Sequence, residues 1–154
     1  MGLNHKFYLI SNTTETNYFW MYREENNSFI DSVVIHDDMI QHIYDSLNWI
    51  PSKNPSLKGT PNSQGINYHG VTLFDKQSSE TLINIFSSWR DLFKSAPLTF
   101  ELTEKFTFSE GDNTVNNYEK LVFNRHEIIK QFEKIISMSE RLAEGDFYLY
   151  HCGI

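Results

Sequence analysis

Cysteine is nearly absent from this chain of 154 residues: Cys152 stands alone. One thiol excludes an internal disulfide framework and a cysteine-based zinc cluster. Long apolar runs are missing too, and none approaches the roughly 20 residues of a membrane span. Basic residues are few, 13 against 20 acids, for a formal charge of −7. An acidic surface repels phosphate backbones, which disfavours nucleic acid as a direct partner. No serine elbow, glycine-rich phosphate loop or Walker pattern is present. Low-complexity tracts, internal repeats and domain linkers are also missing.

What is there suffices for one compact domain. Apolar residues make up 40% and aromatics 15% of the chain. Large rings bury much area per residue, so 1–154 reads as a single α+β domain with a sizeable core. Met1-Gly2-Leu3-Asn4-His5-Lys6 leads straight into a strand-like run with no leader pattern. Lys6 stands where a myristoylation motif wants Ser or Thr. The lone thiol and the missing leader point to a cytoplasmic protein.

The pattern along the chain predicts β-β-β-α-β-α-β-β-α-β. Lys6–Ile10 reads as a buried strand and Tyr18–Tyr22 as its hairpin partner. Phe29–Ile35 is a third strand, with Val33-Val34-Ile35 strand-prone. Asp37 or Asp38 is placed to cap a helix carrying Met39, Ile40, Ile43, Tyr44, Leu47 and Ile50. Three prolines and two glycines between Pro51 and Gly65 predict a long irregular loop. Ile66–Phe74 reads as a strand. A helix capped by Ser78 or Ser79 follows, with Leu82, Ile85, Phe86, Trp89, Leu92 and Phe93 on its buried face. Leu98, Phe100 and Leu102 alternate as in a half-buried strand, and Phe106 and Phe108 keep the phase. Tyr118–Phe123 forms another strand. Asn124 caps the last helix, with Glu127 at the capping-box position and Gly145 at its stop. The final strand is Asp146–Ile154. Helices alternating with hairpins predict a mixed, mainly antiparallel sheet with about three packed helices.

Candidate chemistry is thin. His36, Asp37, Asp38 and His42 sit at a strand-to-helix junction, but their spacing does not place both histidines on one helical face, and capping accounts for the acids. His151 and Cys152 are strand neighbours and point to opposite faces. Tyr68-His69-Gly70-Val71-Thr72 could offer His69 as a general base, or Gly70 could mark a bulge. No metal and no cofactor are implied. Partner binding is better supplied. Glu24 and Glu25 lie in a polar turn, Asp37 and Asp38 at a helix start, and Glu110 and Asp112 in a later acidic turn. Tyr18, Trp20 and Tyr22 are aromatic anchors of the kind favoured at interfaces.

Asn67-Tyr68-His69-Gly70-Val71-Thr72-Leu73-Phe74, a helix containing Trp89, and the terminal Tyr148-Leu149-Tyr150-His151-Cys152-Gly153-Ile154 resemble small bacterial immunity proteins of polymorphic toxin systems. That group includes the partners used in contact-dependent growth inhibition. The resemblance spans roughly residues 65–154 and carries over no functional residue. It implies a protein without an active site that binds and neutralises one cognate toxin domain; the acidic charge adds that this partner is basic and is not nucleic acid, and the lack of a long apolar run adds that no membrane is involved. Acidic charge would speed encounter with such a partner. The alternatives are a small metal-independent or histidine-based enzyme, with His69 or the His36/Asp38/His42 group in its site, and a regulatory subunit of a larger assembly.

Overall fold

The computed structural model describes residues 3–25, 28–103 and 121–154. Among these, the chain forms a six-stranded antiparallel sheet with three long helices on one face, the α+β class expected. The strands are β1 (Asn4–Ser11), β2 (Asp31–His36), β3 (Pro51–Lys53), β4 (Asn62–Gln64), β5 (Val71–Phe74) and β8 (Phe147–Cys152), in the order β2-β1-β8-β5-β3-β4. Two short strands, β6 (Thr99–Glu101) and β7 (Val122–Asn124), make a separate antiparallel pair. The helices are α1 (Phe19–Tyr22), α2 (Asp37–Leu47), α3 (Ser79–Phe93) and α4 (Arg125–Leu142).

Strand alternation sorts the side chains into two layers. Phe7 and Leu9 of β1, Ile35 of β2, Phe74 of β5 and Leu149 of β8 face the helices. Met39, Ile40 and Ile43 of α2, Leu82 and Phe86 of α3, and Ile128, Phe132 and Ile135 of α4 complete that core. Tyr8, Ile10, Leu73, Tyr150 and Cys152 face the other way and are covered by Phe19 of α1, with Tyr22 and Phe29 beside it. This second layer is held by edge-to-face ring contacts, Phe19 to Tyr150 at 4.8 Å and Tyr8 to Phe29 at 5.2 Å, the geometry that aromatic quadrupoles favour.

Several local expectations are corrected. Tyr18–Tyr22 is not a strand. The Glu15 carboxylate accepts the backbone N–H groups of Asn17 and Tyr18 and turns the chain into α1. β1 then pairs with β2 instead, through Phe7↔Val33 and its neighbours. The N-cap of α2 is His36, whose Nδ1 accepts the Asp38 N–H at 3.0 Å; Asp37 is the first helical residue. That helix ends at Leu47, before Pro51. The Pro51–Gly65 segment is not irregular throughout, because Pro51↔Gln64 and Lys53↔Asn62 close a hairpin. The strand expected from Ile66 begins only at Val71, and Tyr68-His69-Gly70 is a turn closed by Gly70 N–H to the Asn67 carbonyl. Ser78 is not a side-chain cap for α3; Asp75 caps a 3-10 turn over Lys76–Ser78 that leads into it. Leu92 is exposed. Phe106, Phe108, Glu110, Asp112 and residues 118–120 lie outside the described residues.

Other expectations hold. Asn124 Oδ1 accepts the Glu127 N–H at 3.2 Å and caps α4. Gly145 has φ +85°, the left-handed geometry that lets glycine stop a helix. The last strand is internal: β8 pairs with β1 through Phe7↔His151 and with β5 through Thr72↔His151. Deleting residues 146–154 therefore divides the sheet and leaves the rows of Phe7 and Phe74 without their neighbour. A thermal scan by circular dichroism should show no cooperative melt for the truncated chain. A melt unchanged from that of the full chain would contradict this topology.

Candidate functional site

The helix-facing side of β1 and β8 carries two polar residues in an otherwise apolar row, His5 and His151, and both are fully buried. A buried polar group must find partners or cost stability. Here each finds the next. His5 Nε2 lies 2.9 Å from Asp37 Oδ1, and His5 Nδ1 lies 2.9 Å from His151 Nε2. His151 Nδ1 is 3.4 Å from Thr72 Oγ1, which also accepts the Asn67 N–H at 2.7 Å. Asp37 is shared by two further donors, the Tyr68 hydroxyl and Gln41 Nε2, the latter at 2.7 Å from Oδ2.

The carboxylate fixes the direction of this chain. An ionised Asp37 only accepts, so His5 Nε2–H donates to it. The neutral His5 then presents Nδ1 as an acceptor, and His151 Nε2–H donates to that atom. His151 Nδ1 is left to accept the Thr72 hydroxyl proton. Burial favours these neutral forms: it lowers the His5 pKa, against the opposing pull of Asp37, and with the neighbouring His5 takes that of His151 down to about 3. For Asp37 burial acts upward, but hydrogen bonds from Tyr68, His5 and Gln41 outweigh it and the net shift is downward. Tyr68 is pushed up to about 12 by burial and by its bond to Asp37, so it stays a donor.

Chemically this is a poor catalytic relay. A histidine titrating near 3 is not a general base at neutral pH. Neither imidazole reaches solvent. The network instead ties α2, β1, β8, β5 and the Tyr68–Gly70 turn to one another. Gly153 seals that join: its N–H donates to the Gly70 carbonyl at 2.7 Å, and an added Cβ would sit 2.1 Å from the Tyr68 carbonyl oxygen.

The remaining candidates fall on two sides of the sheet. Asp37 is only 3% exposed and fully engaged, which removes it as a docking acid. Asp38 is half-exposed beside His36 on the helix side. His42 lies against the Trp89 ring, and His36 is spent on its cap, so the two serve different contacts. Among the described residues no three His, Cys, Asp or Glu side chains converge as a metal-ligand group. On the opposite face, α1 brings Tyr18, Trp20, Tyr22, Glu24 and Glu25 together. Tyr18 is 63% exposed, Trp20 46% and Met21, which composition did not single out, 67%. Tyr22 is half-buried, and its hydroxyl donates to the Glu15 carbonyl. Glu24 accepts the Tyr8 hydroxyl at 2.5 Å and lies 3.4 Å from Lys6 Nζ; the Tyr8 bond leads the causes that hold its pKa low. A second apolar surface is a groove of about 550 Å³ between α2 and α3, lined by Trp49, Trp89 and Leu92.

Sequence reasoning missed His5 altogether and weighed His151 only against Cys152. The available signal was parity: His5, Phe7 and Leu9 share one strand face, as do Phe147, Leu149 and His151. No protein-family model, no curated protein and no solved structure matches this chain.

The network sets a pH dependence. A histidine whose folded pKa lies below its unfolded value of 6.5 stabilises the fold above that value, and stability is lost as pH falls toward the folded pKa. Urea melts should therefore lose stability between pH 6.5 and pH 4, at up to about 1.4 kcal/mol per pH unit for one histidine. The depressed Asp37 adds loss at still lower pH, in the same direction. His151→Leu should flatten the slope between pH 6.5 and pH 4. At pH 7, Tyr68→Phe should cost about 1.5–3 kcal/mol, the range for a hydrogen bond to a charged group. An unchanged slope in His151→Leu would refute a neutral buried pair.

Proposed function

We propose that the protein is a binding module that docks a basic protein partner on the α1 face, and that the partner is a toxin domain which this chain neutralises as an immunity protein. The observation that carries the reading is the α1 surface itself. A four-residue helix buries Phe19 and turns Tyr18, Trp20 and Met21 outward. Tryptophan and tyrosine are frequent interface hot spots, because their rings bury much area and lose little conformational freedom. Glu15, Glu24 and Glu25 flank them along the chain, against two bases, Lys6 and Arg23, that both reach Glu24. Aromatic anchors inside an acidic rim suit a basic partner: the rim steers encounter and the rings slow escape.

An enzymatic reading has less support, since the most elaborate polar network is buried and its histidines are held neutral. No carboxylate is among the residues that line the α2–α3 groove.

The test pairs genetics with kinetics. The product of the gene directly upstream, expressed alone, should arrest growth, and this chain should restore it and bind that product. Glu24→Gln with Glu25→Gln should slow association severalfold at low salt and flatten its salt dependence. Trp20→Ala should leave association near wild type and weaken the complex by about 2 kcal/mol, roughly thirtyfold, through faster dissociation. If both variants bind as wild type does, the α1 face is not the docking surface. If the neighbouring product is neither toxic nor bound, the immunity role is wrong.

A further inference from the structure

Beside α1 lies a cleft of about 340 Å³, with Trp20, Arg23, His69, Val71, Cys152 and Gly153 among its lining residues. Its size falls within the range of small-ligand sites. Its electrostatics run against the rest of the region. Arg23 is one of only two basic residues before Pro51, and it borders the cleft. One guanidinium nitrogen, Nη1, donates to the Trp20 carbonyl. Nε is shut off from solvent and has no hydrogen-bond partner. The nearest carboxylate, Glu24, stands 4.0 Å from Nε, and its Oε1 already takes the Tyr8 hydroxyl.

As the side chains stand, no surrounding group meets that N–H. Burial pushes the Cys152 thiol up to about 11, so it stays protonated. The Tyr150 phenol, also fully buried, faces the Trp20 backbone without completing a hydrogen bond. A guanidinium with an orphaned N–H costs stability until an acceptor arrives. A carboxylate is its best match, because two parallel N–H groups meet two oxygens side by side. A small rotation of Arg23 would turn Nε–H and a terminal N–H toward such a group. Trp20 and Val71 supply apolar walls for a ring, and the indole is partly open to receive one.

We propose that this cleft binds a small aromatic carboxylate, with Arg23 pairing to its carboxyl group and Trp20 packing on its ring. The site is a property of this chain alone and does not depend on the protein partner.

The experiment uses the full chain, labelled with 15N, and phenylacetate as the probe. Titration should give saturable shifts at the Gly70, Val71, Cys152 and Gly153 amides and at the Trp20 indole. The Trp49 and Trp89 indoles, on the other side of the molecule, should not move in step. Arg23→Met should weaken binding about tenfold or more, since a charge-assisted pair is lost. Phenylacetamide, of the same shape but uncharged, should bind at least about tenfold more weakly. Arg23→Lys keeps the charge without the fork, and should fall between wild type and Arg23→Met. Three outcomes would overturn the proposal: no saturable shift with phenylacetate at millimolar concentration, equal binding of phenylacetamide, or shifts centred on Trp49 and Trp89. A spectrum of Arg23→Met that matches wild type away from the cleft separates lost binding from lost fold.

Discussion

One carboxylate organises the helix-covered face of this protein. Asp37 opens α2 where the helix packs on the sheet, and there it is almost fully buried. A charge in that place must be met by hydrogen bonds. Three donors come from three elements: His5 from β1, Tyr68 from the turn before β5, and Gln41 from the next turn of α2. Each donor carries a demand of its own. His5 needs a donor at its second nitrogen and takes His151; His151 needs one as well and takes Thr72. The chain of satisfied demands crosses three adjacent strands. It also fixes the tautomer of every ring along the way, because the first acceptor cannot donate.

The opposite face is built on different terms. Its cover is α1, four residues long, and so short a helix has no stability of its own. Phe19 holds it down by packing on Tyr8 and Tyr150. Tyr22 packs half-buried beside Phe19, while Trp20 and Met21 point outward. Two polar atoms beneath and beside α1, Tyr150 Oη and Arg23 Nε, lack partners. Ser52 Oγ, and Gln131 Oε1 and Ser139 Oγ of α4, are buried without partners as well, so what sets Arg23 apart is its place beside an open cleft.

The long helices and their order were legible because their signals are local. Asn124 and Gly145 bracket α4, and its apolar residues repeat at helical spacing. The α1 segment was not. Tyr18-Phe19-Trp20-Met21-Tyr22 has the composition of a strand, and only the Glu15 side chain, bonding forward to Asn17 and Tyr18, turns it. The β3–β4 hairpin was hidden for the opposite reason: Pro51-Ser52-Lys53 and Asn62-Ser63-Gln64 have loop composition and pair only because the sheet edge offers them a partner. Asp37 misled because an acid at a helix start has a sufficient local explanation. Its true role depends on His5, 32 residues away, and no local pattern links the two. Parity on β1 and β8 would have flagged both histidines as core-facing; their pairing required the strand order.

The proposed acidic docking face and the proposed carboxylate cleft can share the α1 region because they would act over different distances. Glu15, Glu24 and Glu25 would set the field met by a partner approaching α1, and that field fades over about 8 Å at physiological salt. Arg23 acts at contact, where a partly desolvated pair is screened much less than exposed charges are. The long-range field opposes entry of a small anion and lowers its association rate. It has less hold on the complex once Arg23 and the carboxylate are in contact. Salt would then act in opposite senses on the two events: screening weakens steering of a basic protein and eases the approach of a carboxylate. That difference of sign follows from one arginine placed among acids, whatever the identity of either ligand.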